Sequence, residues 1–142
     1  MLSNISKYAI TGLSHIMINS VKSENTKVGE IIERNDIPQA FLSKILQRLT
    51  KEGFLSSKKG PNGGFYLTEE QMQTSVLDII KELEGEEFFS NCILRFEACN
   101  SKNPCPLHFL VIKEKNALDS KFRKIKIKDL LHTVPKELMD SE

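Results

Sequence analysis

Three cysteines and one histidine carry the clearest chemistry in this sequence. Cys92, Cys99 and Cys105 are the only cysteines among 142 residues; they share one 14-residue window, and His108 follows three positions later. Thiolates and an imidazole together form a set of four donors, the number a metal ion or an iron–sulfur cluster usually needs. The same window holds Asn100, Ser101, Lys102, Asn103 and Pro104, a polar run in which cysteines have no core to fill. The competing readings are three ordinary loop thiols and a structural Cys3His zinc. Zinc sites favour closely spaced Cys pairs with two to four residues between them, and the intervals of six and five residues here suit that poorly. The order Cys105-Pro106-Leu107-His108 puts the histidine on the first turn of a following helix, beside Cys105. A cofactor site is the expectation.

No second centre competes with it. There is no Ser/His/Asp set and no paired-carboxylate pattern, and Gly60-Pro61-Asn62-Gly63-Gly64 lacks the Gly-Lys-Ser/Thr ending of a phosphate loop. An enzyme is not expected. His15, among apolar residues of the first helix, and His132 near the C-terminus read as structural. The chain is about one domain long. Hydrophobic residues make up 39% and charged residues 27%, and the mean hydropathy is −0.29, which suits an ordinary globular protein. No apolar stretch reaches the ~18 residues of a membrane span, and no signal peptide is visible. A cytoplasmic location is expected, where thiols stay reduced and clustered cysteines serve metal or redox chemistry. The odd cysteine count also argues against a fully paired disulfide framework.

The elements around the window predict how it is presented. Ile5, Tyr8, Ala9, Leu13, Ile16 and Met17 recur at helical spacing, so residues 4–20 read as a helix started by Ser3 or Asn4. A short helix with Val28, Ile31 and Ile32 follows Thr26. A third helix over about 38–52 should bury Phe41, Leu42, Ile45, Leu46 and Leu49 and stop at Gly53. Two short β-prone runs, Phe54 to Ser57 and Phe65 to Leu67, flank a turn rich in Gly, Pro and Asn, which predicts a β-hairpin. Thr74 or Ser75 should cap a further helix carrying Val76, Leu77, Ile79, Ile80 and Leu83 and ending at Gly85. Beyond the cysteines, Leu107, Leu110, Val111, Glu114, Ala117, Leu118 and Phe122 form one stripe of a long helix. So small a domain offers that stripe no partner, and a second copy across a two-fold axis would bury it. The tail after Pro135 should fray.

Helix, helix and hairpin in this order make a winged helix-turn-helix, with 38–52 as recognition helix. Charge agrees. Residues 1–68 carry nine Lys/Arg against five Asp/Glu, whereas residues 69–142 carry eleven against fourteen, and a concentrated basic face marks nucleic-acid binding. Gln39, Ser43, Lys44, Gln47 and Arg48 lie opposite the buried stripe, where they could meet bases or phosphates. Lys58, Lys59, Gly60, Asn62, Gly63 and Gly64 form the wing, placed to reach phosphates or the minor groove. The acidic residues Glu82, Glu84, Glu86 and Glu87 should face away from DNA. The run Lys121, Arg123, Lys124, Lys126 and Lys128 reads as solvated surface. The predicted fold class is mainly α with a small β-hairpin. Residues 1–70 would form the DNA-binding domain, and 71–142 the cysteine loop and dimerisation helix.

With these pieces in place, the chain resembles the bacterial Rrf-two family of IscR/NsrR-type winged-helix regulators over nearly its whole length. The resemblance rests on Ser6-Lys7-Tyr8-Ala9, on Ile37-Pro38-Gln39-Ala40-Phe41-Leu42-Ser43-Lys44-Ile45-Leu46 and on Gly60-Pro61-Asn62-Gly63-Gly64-Phe65. The cysteine triplet and Ile125-Lys126-Ile127-Lys128-Asp129-Leu130 complete it. It implies a homodimer that binds double-stranded promoter DNA. It also implies one iron–sulfur cluster per subunit in the cysteine loop, whose state tunes DNA binding to iron–sulfur, redox or nitric oxide status. Two departures stand out. The first cysteine interval has six residues where the cluster-binding members have five. The acidic ligand that some members take from the partner's first helix is replaced by Lys7, which as a cation cannot ligate. Other members use a histidine three residues after the last cysteine, the place of His108. The resemblance thus favours a [2Fe-2S] cluster on Cys92, Cys99, Cys105 and His108 over a [4Fe-4S] cluster with another fourth ligand. Two alternatives remain: the same DNA-binding scaffold without a cluster, working as a thiol-redox or metabolite-linked regulator, and a metal-stabilised domain that binds a protein partner.

Overall fold

Apolar residues at helical spacing organise the first third of the molecule. The computed structural model describes residues 2–133, and α1 (Asn4–Val21) buries Ala9, Leu13, Ile16 and Met17. Ser3 stands at the N-cap position, but its hydroxyl caps nothing. It turns instead to the Glu84 carboxylate, which Ser6 Oγ also approaches at 2.8 Å. The two hydroxyls tie the start of α1 to a helix some eighty residues away in sequence. α2 (Val28–Ile32) and α3 (Gln39–Lys51) follow, with Pro38 at the N-cap of α3. α3 buries Leu42, Ile45, Leu46 and Leu49. Phe41 departs from expectation: it is 38% exposed, and its ring meets the edge of Tyr8 at 5.7 Å. It lies at the rim of the buried stripe, so its ring caps the α1–α3 seam rather than entering it.

The hairpin pairs β1 (Ser56–Lys58) with β2 (Gly64–Tyr66), antiparallel, with Ser57 opposite Phe65. Thr26 adds a third, one-residue rung against Phe65. This rung explains the turn sequence. A side chain at Gly64 would stand 2.7 Å from the Thr26 carbonyl oxygen, and Gly64 has φ +141, a left-handed value that glycine adopts without strain. At Gly63 the clash would be with the Lys58 carbonyl, 2.1 Å away.

A short helix, α4 (Glu69–Met72), was not expected from apolar spacing. Thr68 and Gln71 form a reciprocal capping box around it, and the Gln71 amide also reaches the Gly53 carbonyl. The pattern Thr68-Glu69-Glu70-Gln71 is the capping-box signature and could have revealed this helix. α5 (Val76–Glu84) starts at Ser75, whose hydroxyl accepts from the Asp78 N–H, and stops at Gly85. The cysteine segment leads into α6 (His108–Lys124), a 3-10 turn at Ile127–Asp129 and α7 (Leu130–Thr133). The expected frayed tail and the His132 side chain lie outside the described residues.

Two apolar clusters hold these elements together. The larger joins α1, α2 and α3 with Leu55 and Leu67 and also takes Ile79, Leu83 and Ile127 from the second half. The smaller gathers Val76, Leu77, Ile80 and Phe89, with Phe122 and Leu118 against them. In the basic run, Arg123 pairs with Asp119, Lys126 Nζ donates to Gln73 Oε1, and Lys121, Lys124 and Lys128 are exposed. No helix among the described residues is long and apolar enough to cross a membrane.

Candidate functional site

The cysteine segment has little regular structure, and its shape comes from short local hydrogen bonds. Arg95 N–H donates to the Cys92 carbonyl at 2.9 Å, with Arg95 at φ 65. Asn100 and Asn103 exchange backbone bonds of 3.2 and 3.1 Å, and Asn100 Oδ1 accepts from the N–H groups of Lys102 and Asn103. The polar run thus folds into a tight tip and returns the chain, bringing Cys105 back beside Cys92. His108 N–H donates to the Cys105 carbonyl at 3.1 Å, which sets the imidazole on the first turn of α6.

The sulfurs of Cys92, Cys99 and Cys105 all lie within 4.8 Å of one another, each half-buried and none in a disulfide. Two side-chain contacts lie within hydrogen-bond reach for sulfur. Cys92 Sγ and Cys105 Sγ are 3.6 Å apart, and Cys99 Sγ is 3.5 Å from His108 Nδ1. Two sulfurs each ~2.3 Å from one tetrahedral metal stand ~3.8 Å apart, so both contacts suit ligand pairs on a metal. The donor set fits the expected group. The cleft lined by these four residues, Ile112 and Lys115 has a volume of only about 20 Å³, roughly the room of one water. A single ion fits without movement, whereas a larger group requires the loop to give.

The thiols differ in acidity. Partial burial pushes the Cys92 thiol up, but the N–H groups of Phe96 and Leu94 and the neighbouring thiols favour its thiolate and bring it down to about 7. Cys99 goes the other way. The Cys105 N–H favours its thiolate, yet burial and the adjacent cysteines outweigh that and raise it.

One residue at this site escaped the sequence reading. Lys115 reaches the Asn91 carbonyl, just before Cys92, and lines the same cleft. It stands seven residues after His108, two helical turns along the same face, and that spacing is a signal that could have found it.

Elsewhere in the fold, Gln39, Lys44 and Gln47 are exposed along α3 and Ser43 is half-buried. Arg48 is exposed too, but its guanidinium is engaged: Nε stands 3.4 Å from Glu82 Oε1, and Nη2 donates to the Glu82 carbonyl. On the wing, Lys58, Lys59, Gly60 and Asn62 are exposed, while Gly63 is buried and Gly64 half-buried, so these two shape the turn. Two further residues hold the wing in place. Lys27 Nζ donates to the Pro61 carbonyl at 2.9 Å and Asn25 Nδ2 to the Asn62 carbonyl at 3.0 Å.

The helices and hairpin form a winged helix-turn-helix, and the cysteine triad lies in the segment between α5 and α6. A profile described as an iron-dependent transcriptional regulator, the Rrf2 family, matches residues 2–133. The chain belongs to the Rrf2 family. It is 33% identical over 141 residues to a protein of Aquifex aeolicus (strain VF5) named as an HTH-type transcriptional regulator, with 97% of this chain and 96% of that protein covered. It is 28% identical over 109 residues to the HTH-type transcriptional regulator IscR of Cronobacter sakazakii, covering 77% of this chain and 66% of that protein. The fold matches CymR, the global cysteine regulator of B. subtilis, with a TM-score of 0.74 at 21% identity, covering 95% of this chain and 98% of that one. These relatives are transcriptional regulators, not enzymes.

Proposed function

We propose that this Rrf2-family regulator works as a homodimer on promoter DNA, its affinity tuned by an iron–sulfur cluster on Cys92, Cys99, Cys105 and His108. The observation that carries this reading is the pairing of close contacts, Cys92 with Cys105 and Cys99 with His108. Four protein donors, three thiolates and one imidazole, favour [2Fe-2S] over a [4Fe-4S] cluster that would take another fourth ligand, and the loop would have to open to admit it. Such a cluster supplies one-electron redox chemistry and sensitivity to oxidation, iron loss and nitric oxide.

The chain's own residues link that loop to the DNA head. Ligation by Cys92 and Cys105 would close the loop at its base, and His108 would tie it to the first turn of α6. Phe89, three residues before Cys92, packs with Val76, Leu77 and Ile80 of α5 and with Phe122 of α6. α5 in turn holds Arg48 of α3 through Glu82. Opening or closing the loop therefore acts on the elements that orient α3. A coupling of about 1–3 kcal/mol changes DNA affinity roughly 5- to 150-fold. Gln39, Ser43, Lys44, Gln47 and Arg48 would face the major groove, with Lys58, Lys59, Gly60 and Asn62 on the flanking backbone. Dimerisation is supported by α6, which buries no residue within one chain and exposes Phe109 by 66% and Leu110 by 72%.

The test is anaerobic purification followed by iron, sulfide and zinc analysis with visible spectroscopy. About two iron and two sulfide per chain are expected. Cys→Ala at position 92, 99 or 105 should abolish both; a variant that keeps a full iron complement overturns the assignment. A second reading has its own observation: three sulfurs within 4.8 Å around a cleft of about 20 Å³ also suit one tetrahedral zinc. One zinc per chain, without sulfide, would establish it.

A further inference from the structure

The three thiols are not equivalent toward oxidation. Cys92 Sγ and Cys105 Sγ face each other at 3.6 Å, and a disulfide needs ~2.05 Å, so the sulfurs must approach by roughly 1.5 Å to join. Cys99 is occupied elsewhere. Its sulfur accepts the Cys105 N–H at 3.4 Å and lies 3.5 Å from His108 Nδ1. The Asn100–Asn103 tip also holds the backbone of Cys99, because Asn103 Nδ2 donates to the Ala98 carbonyl. All three sulfurs are half-exposed, so a small oxidant can reach them.

We propose that in the metal-free chain a peroxide oxidises Cys92 and Cys105 to a disulfide and leaves Cys99 reduced, so that the covalent bridge replaces the metal as the clamp on the loop. This rests on the loop being the regulatory site proposed above and adds the form it takes when the ligand set is empty. The balance is simple. One thiolate attacks the peroxide O–O bond, forming a sulfenic acid and releasing water. The second sulfur displaces the sulfenic oxygen as a second water, and the S–S bond forms. Two thiols lose two electrons and two protons in total, and hydrogen peroxide accepts them. The bridge joins the two ends of a 14-residue segment, as ligation of the same two sulfurs does.

The sequence makes the test clean. Trypsin cuts after Lys81, Arg95, Lys102 and Lys113, so each cysteine falls on its own peptide, 82–95, 96–102 or 103–113. The full chain is stripped of metal with a chelator under anaerobic conditions, treated with one equivalent of hydrogen peroxide, alkylated, digested and weighed. The expected digest contains 82–95 linked to 103–113, and a separate peptide 96–102 with Cys99 alkylated. A dominant linkage through Cys99, or three alkylatable thiols, overturns the proposal. Cys99→Ser should form the same bridge at the wild-type rate, and a loss of the bridge in that variant overturns it too. The clamp is read by hydrogen exchange of residues 92–107: several-fold slower exchange after oxidation, reversed by dithiothreitol, is expected, and unchanged exchange refutes the clamp. Metal content of the anaerobically isolated protein judges the cluster independently, so the two ideas can fail separately.

Discussion

The DNA-binding head and the cysteine-to-α6 segment are built on opposite principles. In the head, α3 sends four side chains into the core, and the wing is pinned by Thr26, Lys27 and Asn25. α6 is longer, at 17 residues, yet none of them is buried. The loop before it leaves Ile93, Leu94 and Phe96 exposed by 49%, 42% and 56%. A buried element is held by its own chain, whereas α6 is held there through half-buried side chains such as Leu118 and Phe122 and leaves Phe109 and Leu110 exposed. The contrast separates a head packed by its own residues from a segment that leaves apolar side chains open to solvent.

The largest effect that would break this contrast concerns packing. Leu46→Ala, at a fully buried site, should cost about 2–5 kcal/mol in urea unfolding. Leu110→Glu should leave the far-ultraviolet circular dichroism unchanged and halve the mass in sedimentation; a retained dimer would show that α6 is not the seam. Next comes the wing. Gly64→Ala forces a Cβ against the Thr26 carbonyl and should weaken duplex binding roughly tenfold, ~1.4 kcal/mol, with metal content unaltered.

A smaller change sharpens the link between the two regions. Glu82→Ala removes the carboxylate from Arg48 Nε and leaves only the backbone carbonyl contact; it should tighten duplex binding a few-fold in fluorescence anisotropy, while Arg48→Ala weakens it. If both variants weaken binding equally, Arg48 is a bracket between helices and not a DNA contact. The smallest effect is a pH slope inside the head. Burial, with Arg34 nearby, holds His15 below its ordinary value of 6.5, and its Nε2 accepts from Asn35 Nδ2. The unfolded chain binds this proton at higher pH than the folded one. Stability should therefore be level above about 6.5 and decline as pH falls below it, flattening once the folded ring is also protonated. His15→Gln should remove that part of the slope in urea midpoints measured across the range.

Much of this was present in the order of residues. The periodicity of Leu42, Ile45, Leu46 and Leu49 determined α3, Ser75 and Gly85 bounded α5, and the Gly-Pro-Asn turn announced the wing, because these signals act within a few residues of themselves. The cysteine spacing likewise identified the ligand candidates. Other features depended on approach between distant segments. Thr26 meeting Phe65 gives Gly64 its purpose, Glu84 draws in Ser3 and Ser6, and Glu82 occupies Arg48, which sequence alone assigned to DNA. The division of the thiols into a facing Cys92–Cys105 pair and a Cys99 held by His108 is also of this kind. Spacing along the chain fixes which residues belong to an element, but side-chain partners are chosen in space, where a few ångströms between remote residues decide what each group can do.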